Sequence, residues 1–347
     1  MDGKKLALTL AQCYGVSGDE QSAAHVAASY LKGWGEVRSD ALGNLICTLR
    51  APKDGGPHMM LCAHMDEIGM IVTHILPDGF LRVAAVGGVD RRTLLASPVK
   101  VLGREKLDGV VCSIPPHLQR GDDAKKIPPM EEIAVDVGLS FEQAKEKISL
   151  GDRVVVCHSG AAMGEHCISS KALDNRAGCA AVIRAAELLK DEELTCGLSV
   201  VLSTREELAC NGAKTGAFGL CPTHAIAVDV SFALTDDAPK EKCGELGKGP
   251  MIGVSPVLSR EMSDGLIRCA KDRGLPYQLE VMAGPTSTDA DVITLTGSGV
   301  RCGLLSIPLR YMHTPAELVD VRDIESCAAL MAEYIIDRFG GTEREAD

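Results

Sequence analysis

Aromatic side chains are scarce in this chain, 3% of its residues, and Lys plus Arg number 36 against 48 for Asp plus Glu. The first shortage removes the stacking platforms that grip single-stranded nucleic acid. The second leaves a formal charge of −12, a poor surface for a polyanion whose binding needs a basic footprint. No nucleic acid partner is expected. No apolar run reaches the ~18 residues that cross a bilayer, so no membrane partner is expected either. No C-x-x-C occurs among the fourteen cysteines. Most of these lie in apolar stretches, as Cys62 does in MMLCAH and Cys179 in AGCAAVI, where cysteine behaves as a small hydrophobe. A long chain with a good core is not the setting of a disulfide-stapled fold. The opening MDGKKLALTLAQC carries an apolar stretch, Leu6 to Ala11, that is short for a secretion signal. A first helix in a soluble, cytoplasmic protein is the expectation.

No internal repeat or low-complexity tract stands out, and 347 residues with 46% apolar content suggest roughly two domains. Ser17 followed by Glu20 reads as a capping box, opening helical text that runs to Gly33. Strand-like runs follow in GNLICTLR and HMMLCAH. From Gly69 to about Cys157, short apolar runs (MIVTHI, FLRVAAV, PVKVLG, GVVCSI, DRVVVC) alternate with turn chemistry such as Pro77-Asp78-Gly79, the pattern of short β-strands. One helix interrupts them, with Ser140 and Gln143 as a second capping box. The polar, proline-bearing stretch Gln119 to Glu132 is expected to be a long mobile loop. After Ser159, helical AGCAAVIRAAELLK, GLIRCAKDRG and IESCAALMAEYIIDRF alternate with strand-like LSVVLST, HAIAVDV and VRCGLLSI. The expected fold class is α/β. A mostly parallel sheet flanked by helices, built from residues 1–68 and 160–347, is interrupted by a β-rich, small-barrel-like insertion at 69–159.

Open α/β sheets bind ligands beyond the carboxyl ends of their strands. HMMLCA is followed there by His64 and Asp66, LSVVLST by Glu206 and Glu207, and AIAV by Asp229; the last strand leads to His313, and Asp174 opens the helix after the insertion. Each alone has an ordinary explanation. Asp174 could be a helix N-cap, Glu206-Glu207 a solvated pair, and His64 or His313 a hydrogen-bonded histidine. Joint placement at strand ends points elsewhere. His64, Asp174, Glu207, Asp229 and His313 are imidazole and carboxylate donors suited to zinc or a related transition metal such as cobalt or manganese. Five ligands exceed one tetrahedral site but suit two divalent ions if a carboxylate bridges them, a hydrolytic arrangement. Asp66 can orient the His64 ring through its other nitrogen. Of the adjacent glutamates, one can bind metal while the other serves as general base; the residues alone do not distinguish them.

The segments AHMDEIG (63–69), ALDNRAGC (172–179), TREE (204–207), AVDV (227–230) and RYMHTPAE (310–317) resemble the tetrahedral aminopeptidase family, dinuclear metallo-aminopeptidases of the glutamyl and leucyl type. VGGVD (86–90), VDVGLS (135–140) and STDA (287–290) extend the likeness over nearly the whole chain. The resemblance implies one ion on Asp174, Glu207 and His313 and another on His64, Asp229 and the same Asp174. It implies Glu206 as base and Asp66 as partner of His64. It further implies a catalytic α/β domain, an insertion that makes dimers, and a homododecamer enclosing sites that act on short peptides. Arg205 departs from a usual glutamine, and Ala209-Cys210-Asn211 from a glycine-leucine-arginine type run; both lie beside the glutamates. A dinuclear deacylase of small non-peptide amides is the runner-up, and a non-catalytic oligomeric scaffold the third reading.

Overall fold

The computed structural model describes residues 1–119 and 126–341. Its centre is the strand His58–His64, buried at every position because it has a core on each side. Side chains alternate between faces along a strand. Met59, Leu61 and Ala63 accordingly enter one core, and Met60 and Cys62 enter another. Parallel neighbours lie on both sides of it, Gly197–Ser203 on one and His224–Phe232 on the other, and Arg301–Arg310 extends the parallel set beyond the latter. The flanking pairs, from Glu36–Ser39 with Leu45–Arg50 to Ala161–Met163 with Cys167–Ser170, are antiparallel. The eleven-stranded sheet is therefore parallel at its centre and antiparallel toward both flanks, with one further parallel pair, Met251–Val254 with Gln278–Val281, beside Arg301–Arg310.

One face carries Gly3–Ala11, Gln21–Leu31, Leu173–Leu189, Arg260–Asp272 and Val321–Phe339, and the other Asn211–Leu220 and Asp289–Thr294. Leu173–Leu189 is buried nearly all round, wedged between the sheet and two other helices. Its many buried alanines permit that close approach. All fourteen cysteines are unpaired, Cys62 and Cys179 among the buried ones.

The inserted strands form a closed barrel in the order Gly69–Ile75, Leu81–Val86, Ala134–Asp136, Lys106–Val111, Pro98–Leu102, Arg153–Val156. Closure leaves the barrel strands no free edge, and Met70, Val72, Val83, Val101, Val135 and Val154 fill the inside. The capping box at Ser140 and Gln143 starts the helix Phe141–Lys147 as expected. Of the stretch expected to be a loop, residues 120–125 lie outside the described residues, and Met130–Glu132 makes a single 3-10 turn.

The expectation at Ser17 needs correction. The second helix is Gln21–Leu31 with Glu20 in the N-cap position and no side-chain cap. The Ser17 hydroxyl instead donates to Asp66 Oδ2 at 2.6 Å. The short charge-assisted bond to a buried carboxylate fixes the hydroxyl at the site, away from the helix end, and local sequence carries no sign of a partner forty-nine positions away.

Candidate metal centre

The insertion leaves the sheet after Glu67 and returns to it before Lys171, and these two residues meet. Lys171 Nζ donates to both Glu67 oxygens, at 2.7 and 2.9 Å, and to the Cys13 carbonyl at 2.9 Å. Both side chains are buried, so this pair clamps the neck between sheet and barrel beside the carboxyl ends of the parallel strands.

Above that neck the side chains singled out in the sequence converge. His64 ends the central strand with its ring 2% exposed. Its Nε2 lies 3.2 Å from Asp174 Oδ1, 3.6 Å from Asp229 Oδ1 and 3.8 Å from Glu206 Oε2. His313 Nε2 lies 3.3 Å from Asp174 Oδ2 and 3.3 Å from Glu207 Oε1. The two oxygens of Asp174 thus face two different histidines. Asp174 is no N-cap. The cap after the kink is Asn175, whose Oδ1 accepts from the Gly178 amide at 3.0 Å, and Asp174 just before it is extended at φ −78°, ψ 106°, which turns its carboxylate out of the helix.

The arrangement fits metal ions by its spacing and by its donors. Tetrahedral bonds of about 2.0–2.1 Å put neighbouring ligand atoms about 3.3 Å apart, the separation found around both histidines. His64, Asp174 and Asp229 form one three-donor group, and Asp174, Glu207 and His313 another. Each ring also has its second nitrogen engaged, as ligand histidines do. His64 Nδ1 faces Asp66, whose carbonyl oxygen is 3.3 Å and carboxylate 3.5 Å away. His313 Nδ1 faces the Gly88 carbonyl at 3.1 Å.

The cluster is electrostatically loaded. Burial opposes charge on His64, but Glu206, Asp174, Asp229 and Asp66 outweigh it and hold its pKa well above the ordinary value. Hydrogen bonds to Asp174 and Glu207 push that of His313 up to about 11. Burial, reinforced by Asp229, Asp289 and Glu207 against the opposing His64, raises the Glu206 carboxyl to about 9. Carboxylates this crowded, with only two imidazoles to balance them, are a setting that cations relieve.

Several supporting residues had no signal of their own in the sequence. Glu317 accepts from the Asp174 amide through Oε2 and from the His313 amide through Oε1, both at 2.9 Å, and so ties the shared carboxylate to the second histidine. It stands within RYMHTPAE, but nothing there assigns it a partner. Asp66 accepts from the amides of Glu206 (3.0 Å) and Glu207 (3.3 Å) besides the Ser17 hydroxyl. Gly87 and Gly88, from the barrel, pack against the site. A Cβ on Gly88 would stand 2.6 Å from His313 Nδ1, and one on Gly87 3.2 Å from Glu207 Cβ. VGGVD was the trace of that contact.

The departures beside the glutamates separate. Arg205, in a left-handed conformation (φ 56°), faces a different hollow lined by Glu20, Asp40 and Leu42. Ala209 and Cys210 line the cleft of about 620 Å³ that opens on this histidine and carboxylate cluster. The Cys210 thiol lies 3.5 Å from Glu206 Oε1.

The sequence profile of the M42 glutamyl aminopeptidases matches residues 43–330. Lysyl aminopeptidase of Pyrococcus furiosus is 36% identical over 300 residues, 85% of each chain. Among solved structures, an aminopeptidase of the archaeon Desulfurococcus kamchatkensis superposes with a TM-score of 0.89 at 35% identity, covering 97% of this chain and 95% of its own. The TET1 peptidase of Pyrococcus horikoshii, which can assemble into a tetrahedron or a large octahedral shell, does so with 0.84 at 31%, covering 96% and 98%. With a matching profile over most of its length and a peptidase fold throughout, this chain belongs to the M42 aminopeptidase family and is a peptide hydrolase.

Proposed function

We propose that the chain is a dinuclear metallo-aminopeptidase that removes N-terminal residues from short peptides. The observation that carries this reading is the division of Asp174 between two histidines, Oδ1 toward His64 and Oδ2 toward His313. In this reading His64, Asp229 and Asp174 Oδ1 would hold one divalent ion, and Glu207, His313 and Asp174 Oδ2 would hold the other. The bound ions would polarise the scissile carbonyl, lower the pKa of the attacking water and offset the carboxylate charge. Glu206 takes the proton from the attacking water and delivers it to the departing amine. Its place in the cleft wall suits that task, and the bound cations would favour the charged form that burial and crowding otherwise oppose up to about pH 9, while the Asp66 bonds to both glutamate amides keep the neighbours pointed apart. Zinc, cobalt or manganese would suit these donors.

The same reading extends to assembly. Val110, Ile114, Leu118 and Ile127 are exposed on or beside the barrel, an apolar surface of the kind that packs against another copy. The related TET1 peptidase forms closed shells. The barrel would then make dimers, and the dimers a homododecamer whose enclosed sites admit peptides and exclude folded proteins.

The test is a panel of aminoacyl arylamides and N-acyl amino acids, offered to metal-stripped protein refilled with each ion in turn. Aminoacyl substrates should be cleaved only after refilling, and Asp174→Ala should bind well below two ions per subunit by elemental analysis. Cleavage of the acylated amino acids alone would make the enzyme a deacylase. Full metal occupancy in Asp174→Ala would remove it from the bridge.

A further inference from the structure

The cleft contains one carboxylate that neither the metal-binding groups nor the base requires. Glu280, on the strand Gln278–Val281, lines it together with Ser231, Phe232, Met282, Leu304 and Ser306. The Glu280 carboxylate is held in place. Ser231 Oγ donates to Oε1 at 2.5 Å and Ser306 Oγ donates to Oε2 at 2.6 Å. A carboxylate offers about four lone-pair positions, so two remain for a ligand after both hydroxyls are satisfied.

Its place follows from strand register. Ser231 lies two residues beyond Asp229 on one strand and therefore on the same face, about 6–7 Å further along. Ser306 sits in register with Asp229 on the neighbouring strand. The two serines thus carry Glu280 on the sheet face of Asp229, in the same cleft wall as the groups proposed to hold metal and within the space open to the side chain of a substrate whose scissile bond lies at those groups. Leu208, Phe232, Met282, Leu304 and Met312 supply apolar walls along the way, suited to a long alkyl stem with a polar end. Among the described residues that line the cleft there is no lysine or arginine, so the protein offers no cation of its own to an acidic side chain.

We infer that Glu280 is a specificity-determining residue that receives the cationic end of a basic N-terminal residue, making lysyl and arginyl peptides the preferred substrates. The inference rests on the aminopeptidase reading above. An anchored, partly buried carboxylate facing an ammonium favours that substrate over its uncharged analogue and disfavours a carboxylate side chain through like-charge repulsion.

Two measurements test it on the full-length, metal-loaded protein. In turnover, kcat/KM is compared for lysyl, arginyl, leucyl and glutamyl arylamides. Wild type should prefer the basic pair, and Glu280→Gln, which keeps hydrogen bonding to the serines, should lose about 30-fold or more on them while changing little on leucyl arylamide. Ser306→Ala, which frees one carboxylate oxygen, should lower the lysyl-to-leucyl ratio by a smaller factor. In binding, calorimetry compares L-lysine with L-norleucine, which lacks only the ammonium. Lysine should bind more tightly to wild type, and Glu280→Gln should abolish the difference. An unchanged lysyl-to-leucyl ratio, an equal loss on every substrate, or a wild-type preference for glutamyl arylamide would overturn the assignment. Failure to cleave any arylamide, with the lysine preference in binding retained, would instead place the fault with the aminopeptidase reading.

Discussion

Asp66 never reaches the ions in the proposed arrangement, yet it sets the positions of three groups that do the work. One oxygen takes the Glu206 amide and the other the Glu207 amide and the Ser17 hydroxyl, while the carboxylate flanks His64 Nδ1. The adjacent glutamates then separate by direction alone, Glu207 toward His313 and Glu206 toward His64. Substitution should separate them as well. Glu206→Gln preserves shape and removes the base, so turnover should fall by ~10²–10⁴ with metal content unchanged. Glu207→Gln should lower metal content first. Equal metal loss in both variants, measured by elemental analysis beside kcat, would reverse or abolish the two roles. At this scale the sequence was most informative about residues whose chemistry is unusual: His64, Asp174, Asp229 and His313 stand out because imidazoles and carboxylates recur at strand ends. Ser17 and Glu317 were illegible as site components, since a serine or a glutamate carries no mark of a partner far along the chain, and Gly87-Gly88 showed only as part of VGGVD with no partner attached.

Strands and helices were largely readable from periodicity, as HMMLCAH and LSVVLST show, because unbroken apolar runs of that length suit a sheet covered on both faces. The antiparallel flanks were not readable, since strand direction depends on connections that close in three dimensions. Two histidines at the other end of these strands set a different expectation. His58 meets the Leu220 carbonyl at 3.2 Å and Ser199 Oγ at 2.9 Å. His224 packs edge-on to Phe339, with its ring nitrogen 3.3 Å from Arg338. Burial lowers the pKa of His58. Burial together with Arg338 and Arg301 lowers that of His224 to about 4. The folded state therefore prefers both rings neutral. Below the ordinary imidazole value of about 6.5 the unfolded chain takes up protons that the folded chain refuses. Their stabilising contribution is complete above that pH and shrinks on acidification, for His224 until about pH 4. Urea midpoints at pH 7.5 and pH 5.0 should show the decline, and His224→Gln should show less of it; an equal decline would remove His224 from the account. The neck clamp makes a separate prediction. Lys171→Met leaves the buried Glu67 charge without its closest partner, and breaking such a pair costs about 3–5 kcal/mol. A urea-derived loss below about 1 kcal/mol would mean that Arg176, whose guanidinium approaches Glu67 at 3.9 Å, takes over.

At the scale of the whole molecule, no helix among the described residues is long and apolar enough to cross a membrane, and the barrel is the largest addition to the α/β part. Removing it is a poor test of its role, because Gly88 supports His313 directly. Charges placed on its exposed surface are a better one. Val110→Glu with Ile114→Glu should yield a smaller particle by light scattering than wild type while the fold, followed by circular dichroism, persists; an unchanged mass would move the interface elsewhere. The enclosed form should shorten peptides but leave the N-terminus of a folded protein intact. The Gly88 carbonyl at His313 then has a consequence for how the enzyme responds to its surroundings. If copies join through the barrel, any shift that joining imposes on residues 87 and 88 changes the affinity of the second ion site. By thermodynamic reciprocity, filling that site must change the joining constant by the same factor. Subunit concentration and metal supply would then act as one control: where joining strengthens the site, scarce metal loosens the shell and dilution releases metal, and where joining weakens it, both effects reverse.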